Sequence, residues 1–126
     1  MEKVKAFCRE HRYMLVLLGL ILAERLVFLL TVGPEYYIAS DDGAYVHAGI
    51  LFARTGRITI HETVSAQIMP GMPVFIGLVC KLVGEGTGLW LALKLIWIAL
   101  GTLTPWLVYR SVGMFAPRWC ALAAAA

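Results

Sequence analysis

The sequence predicts an all-α membrane protein: multi-pass helices, with an extracytoplasmic loop carrying interfacial helices after the first span. Three observations predict it. Of 126 residues, 60% are hydrophobic and 15% charged, and the mean hydropathy of +0.78 is too high for an ordinary soluble domain. Two apolar runs, Tyr13 to Val32 and Leu89 to Tyr109, each have the roughly 20 residues that cross about 30 Å of hydrocarbon. Basic residues gather outside those runs, at Lys3, Lys5, Arg9 and Arg12 and again at Arg110 and Arg118.

The net charge of +3 is modest and offers no support for a nucleic-acid partner. Cys8, Cys80 and Cys120 are odd in number and widely spaced, so neither a disulfide nor a structural metal follows from them. The basic residues are better explained by topology. The positive-inside rule places residues 1–12 in the cytoplasm of a cell that holds the chain in its plasma or inner membrane. Residues 13–32 then form the first span. A cleaved signal peptide would have a shorter apolar core and a small-residue cleavage site. The run here ends Thr31-Val32-Gly33-Pro34-Glu35, which favours an uncleaved helix. Glu24 and Arg25 interrupt it, and intramembrane charges cost about 2.5–3.5 kcal/mol each on insertion scales, so they are expected to face protein or a wet cavity.

Residues 33–87 form the loop. Ser40 or Asp41 caps a helix over about 43–54, closed by Thr55-Gly56. Gly43, His47 and Arg54 share one narrow stripe of that helix, which suits a membrane interface. Residues 57–67 are turn-like, with Ile58 and Ile60 allowing a short strand. The apolar segment 72–83 is only about 18 Å long as a helix, and Pro70 and Pro73 prevent an earlier start. If it does not cross, Arg110 and Arg118 fall in the cytoplasm, as charge bias prefers. It is therefore read as interfacial.

The second span, 88–109, carries Lys94 near its outer end and Gly101 and Pro105 in its inner half. Trp90 at one end and Trp106 with Tyr109 at the other form interfacial belts. A cytoplasmic turn at 110–113 leads to the start of a third, truncated span at 114–126.

The chemistry centres on Ser40-Asp41-Asp42-Gly43-Ala44-Tyr45. Ser, Asp and Gly also make ordinary caps and turns. His61-Glu62 lacks the second histidine of a zincin, since Ser65 stands there. Gly84-Glu85-Gly86-Thr87-Gly88 has neither dinucleotide nor P-loop spacing and reads as a connector. Asp41, Asp42, His47 and His61 offer no fixed divalent-cation spacing.

A first span with an embedded arginine, then Asp41-Asp42-Gly43-Ala44-Tyr45, then a helix ending Ala53-Arg54-Thr55-Gly56-Arg57-Ile58, resembles the N-terminal part of GT-C-type membrane glycosyltransferases. These include the protein O-mannosyltransferases, the lipid A aminoarabinose transferases and the Rgt-type bacterial enzymes. Pro70-Gly71-Met72-Pro73-Val74-Phe75 is similar to their Pro-Gly-Tyr-Pro-Leu-Phe stretch, and Leu93-Lys94-Leu95 to their Val-Arg-Leu. Tyr109 to Gly113, followed by Ala121 to Ala124, resembles their cytoplasmic turn and third span.

The resemblance implies an inverting transfer from a polyprenyl-phosphate sugar to an acceptor hydroxyl of a glycan, lipid or protein on the extracytoplasmic face. It makes Asp41 the catalytic base and Asp42 its acidic neighbour. Tyr45 stands where the motif has its tyrosine, on the substrate side. Arg54, Arg57, His61 and Lys94 are the candidate cations for the donor phosphate. No cofactor is firmly implied, though a parent enzyme could use a divalent metal. Family members are several times longer, so the chain is expected to be an N-terminal fragment, inactive alone. The alternative is a small non-catalytic membrane protein or subunit whose carboxylates cap a helix.

Overall fold

The computed structural model describes residues 2–36, 41–60, 63–64 and 69–126. Among them are six helices: α1 (Glu2–Glu10), α2 (Arg12–Val32), α3 (Asp41–Thr55), α4 (Gly71–Val83), α5 (Thr87–Val112) and α6 (Arg118–Ala125). The only other regular structure among the described residues is a two-residue antiparallel ladder. It joins β1 (Thr59–Ile60) to β2 (Thr63–Val64), with Thr59 opposite Val64 and Ile60 opposite Thr63.

Two helices, α2 and α5, are long and apolar enough to cross a membrane, with mean hydropathies of 2.4 and 1.7 over their most apolar windows. Their leucines are widely exposed, Leu30 by 82% and Leu20 by 64%. The core helix of a soluble protein would bury such side chains. Leucine-rich sequence carries α2 as a helix, and Gly33-Pro34 ends it. Pro105 does not end α5, which continues to Val112.

The chain divides into two compact units. One comprises Met1–Thr31 and Ile96–Ala126. Its core is Met14, Tyr109, Ala121 and Ala125, flanked by Leu17, Leu18, Trp106, Val112 and Leu122. Tyr109, one of the aromatics expected at the inner interface, is buried there, and its hydroxyl lies 3.1 Å from His11 Nδ1.

The expected start of the third helix also shifts. Nothing in Arg110-Ser111-Val112 breaks α5, so the turn falls at 113–117 rather than 110–113. Pro117, extended at φ −59° and ψ 153°, delays α6 to Arg118 instead of Met114. Residues 1–12, read only as a charged flank, are largely helical as α1.

The other unit, Val32–Leu95, carries the loop. Its centre is the pairing of α3 with α4. Val46, Ala48 and Gly49 of α3 and Pro73, Ile76, Gly77, Val79 and Cys80 of α4 are buried. The helices run two residues earlier and one later than expected for α3, and one residue earlier for α4. A Cβ placed on Gly49 would lie 2.5 Å from Ile76 Cγ2. Only the missing side chain lets the two backbones approach this closely.

Candidate active site

Asp41 and Asp42 open α3, in its first turn. The first amides of a helix lack intrahelical partners, and Asp42 Oδ1 accepts the Gly43 N–H at 2.9 Å. The two adjacent carboxylates therefore differ in employment. Both are exposed. Asp42 is committed to the helix terminus, whereas Asp41 has no side-chain partner among the described residues. Ser40, the other capping candidate, lies outside the described residues.

Tyr45 follows Asp41 by one turn, on the same side of α3, and is half-buried. His47 and Arg54 are exposed, as the polar stripe requires, while Val46, Ala48 and Gly49 are buried, Gly49 against Ile76 of α4. Arg54 stands thirteen residues beyond Asp41, about 20 Å away along the helix. The structure thus places these two candidates at opposite ends of one element and does not bring them together.

Arg54 is also engaged. Its Nε donates to Glu85 Oε1 at 2.6 Å and its terminal nitrogen pairs with Glu85 Oε2, a two-pronged ion pair. This fork geometry suits arginine and carboxylate. The hydrogen bond from Arg54, ahead of its charge, holds the Glu85 carboxyl below the usual glutamate range. The same contact raises Arg54 above its ordinary value. Glu85 belongs to the segment read from sequence as a bare connector. No periodicity marks it as the partner of a residue 31 positions earlier.

Arg57 follows the end of α3, where its N–H donates to Thr55 Oγ1 at 3.2 Å. Its exposed guanidinium has no partner among the described residues. Lys94 is half-buried on α5 and likewise unpartnered among them. At the start of α5, the Thr87 hydroxyl donates to Glu35 Oε1. His61 lies outside the described residues. Among the described residues no three His, Cys, Asp or Glu side chains converge to hold a metal ion.

Chemically, the arrangement offers an accessible carboxylate, a neighbour that secures the helix start, and two cations, Arg57 and Lys94, with no acidic partner among the described residues. No family model matches the chain, and no curated protein or solved structure matches it.

Proposed function

We propose that the chain forms the N-terminal spans and first extracytoplasmic loop of a multi-pass glycosyltransferase using a polyprenyl-phosphate sugar. The N-terminus is cytoplasmic, α2 and α5 cross the membrane of the cell, and α3 and α4 lie at its outer interface. The supporting observation is the division of labour between two adjacent carboxylates: Asp42 is tied to the Gly43 amide, and Asp41 has no side-chain partner among the described residues.

In this reading an Asp41 oxygen accepts the proton of an acceptor hydroxyl. The hydroxyl oxygen attacks the anomeric carbon from the face opposite the donor phosphate. A bond forms between them as the carbon–oxygen bond to phosphate breaks, and the lipid phosphate departs with the electron pair. The anomeric centre inverts. A phosphate leaving group needs no general acid, so one carboxylate suffices. Lys94 and Arg57, which have no acidic partner among the described residues, suit the departing charge better than Arg54, which Glu85 occupies.

The test is transfer from a polyprenyl-phosphate sugar by the product of the whole reading frame, comparing wild type with Asp41→Asn. Retained turnover in that variant removes the reading. The Arg54–Glu85 pair favours a second one, a non-catalytic membrane subunit whose loop is a structural hairpin. A stop codon immediately after Ala126 supports it, and an uninterrupted frame supports the enzyme.

A further inference from the structure

The unit formed by Met1–Thr31 and Ile96–Ala126 contains a second, chemically different site. A cleft of about 500 Å³ opens beside Glu10, His11, Tyr109, Arg110, Ser111 and Arg118. A neighbouring cleft of about 370 Å³ shares Glu10, His11, Tyr109 and Arg118 and adds Arg9 and Arg12. The two clefts together are lined by four arginines and one carboxylate, Glu10. Arg118 donates to Glu10 Oε1 at 2.6 Å. Arg12 donates to the Tyr13 hydroxyl at 2.5 Å and lies over that ring, 4.5 Å from its centroid. Arg110 has no side-chain partner among the described residues, and neither has the Ser111 hydroxyl.

The position matters as much as the charge. Arg12 is the first residue of α2, and Arg110 stands in the last turn of α5. The packing of Met14 with Tyr109 brings these two ends together. They are the ends of the two helices long enough to cross a membrane, and in the topology proposed above, on which this inference rests, that end of each helix reaches the headgroups. Beside them Met114, Phe115 and Trp119 are 72%, 89% and 71% exposed. Apolar side chains next to an arginine cluster suit a ligand that is anionic at one end and hydrocarbon at the other.

We propose that this cleft binds the phosphate of an anionic membrane lipid, with Arg110 on the phosphate oxygens, Arg118 held at the cleft by Glu10, and the acyl chains lying across Phe115 and Trp119. Basic recesses at the ends of membrane helices hold lipid headgroups in this way. Guanidinium groups match phosphate geometry better than ammonium groups do. A soluble phosphate ester would use the arginines but gain nothing from the apolar rim. The site is independent of Asp41 and its chemistry.

The full chain is reconstituted in phosphatidylcholine nanodiscs containing a minor share of phosphatidylglycerol, and bound lipid is counted by native mass spectrometry. Wild type and the surface control Lys81→Gln retain phosphatidylglycerol in preference to phosphatidylcholine. Arg110→Gln breaks no contact among the described residues, so it leaves the fold intact and lowers retention by about tenfold, the worth of one charged hydrogen bond. Arg118→Gln also releases the Glu10 carboxylate into the cleft and lowers it further. Equal retention by Arg110→Gln and wild type overturns the proposal, as does equal retention of the two lipids by wild type. Displacement of the lipid by glycerol phosphate assigns the site to soluble phosphate esters and also overturns it.

Discussion

Gly77 of α4 lies directly against Gly49 of α3: a Cβ on Gly77 would stand 2.8 Å from the Gly49 carbonyl oxygen and 2.6 Å from Phe52 Cδ1. Close approach at small residues is a general device for helix pairs in and near membranes. Here it fixes the helix that Asp41 and Asp42 begin. Gly77→Ala should therefore destabilise the α3–α4 pair by about 1–3 kcal/mol, the usual cost of overpacking. Gly71→Ala, with nothing within 4 Å, is the matched control and should stay within about 0.5 kcal/mol. Unfolding in detergent mixtures measures both, and equal effects would mean that the helices separate freely.

At Gly101 similar distances should have a different consequence. A Cβ there would meet Arg25 Nη1 at 2.5 Å, but that atom ends a long flexible side chain, whereas at Gly77 the Gly49 backbone as well as the Phe52 ring stands in the way. Gly101→Ala is therefore expected to cost less than Gly77→Ala in the same assay.

Arg25 Nε is buried and without a hydrogen-bond partner among the described residues. Replacing an unpaired charge in an apolar helix by a hydrocarbon removes a cost of about 2.5–3.5 kcal/mol on insertion scales. Arg25→Leu should accordingly raise the fraction of α2 inserted in a membrane-insertion assay. An unchanged or lower fraction would show that the guanidinium has a partner worth its desolvation.

Asp41→Asn and Asp42→Asn separate catalysis from capping. Asparagine caps about as well as aspartate, and in Asp42→Asn an amide oxygen still accepts the Gly43 N–H. Both variants should accumulate normally. Turnover of the whole enzyme should fall by about 10²-fold or more in Asp41→Asn, the scale of a lost general base, and much less in Asp42→Asn. A larger loss in Asp42→Asn would reverse the assigned roles.

The Arg54–Glu85 pair predicts a pH dependence. Glu85 is held below its unfolded value, chiefly by the hydrogen bond from Arg54. Its contribution is thus present above the ordinary glutamate range and is lost as pH falls through the lower, folded value. Arg54, raised above its ordinary value, loses its share only in strong alkali. Both side chains are largely in solvent, so the energy is small. Carboxyl NMR should show Glu85 titrating below the ordinary glutamate range, and Arg54→Gln should return it there. A normal titration in wild type would dissolve the pair.

Labelling checks the topology. In a background without Cys8, Cys80 and Cys120, a cysteine at Thr59 should react with an impermeant reagent from outside. One at Ser111 should react only after the cytoplasm is opened. Outside labelling at Ser111 would mean that α4 crosses.

What the amino-acid order determined by itself was everything decided locally. Hydropathy over about 20 residues marked α2 and α5 as long enough to span a membrane. Prolines and glycines marked the interior of the loop, and the Asp-Asp-Gly run marked the start of α3. The start of α6 was not marked in this way: the apolar run begins at Met114, and Pro117 holds the helix back to Arg118, whereas Pro105 does not interrupt α5. Tertiary structure alone decided which distant residues meet. That Glu85 takes Arg54, that Tyr109 packs against His11, and that Gly77 lies against Gly49 rather than being an idle gap all depend on contacts dozens of residues apart. Side-chain periodicity shows that a helix has a face to bury. It does not name the surface that covers it, because burial free energy is non-directional and follows area removed from water rather than sequence.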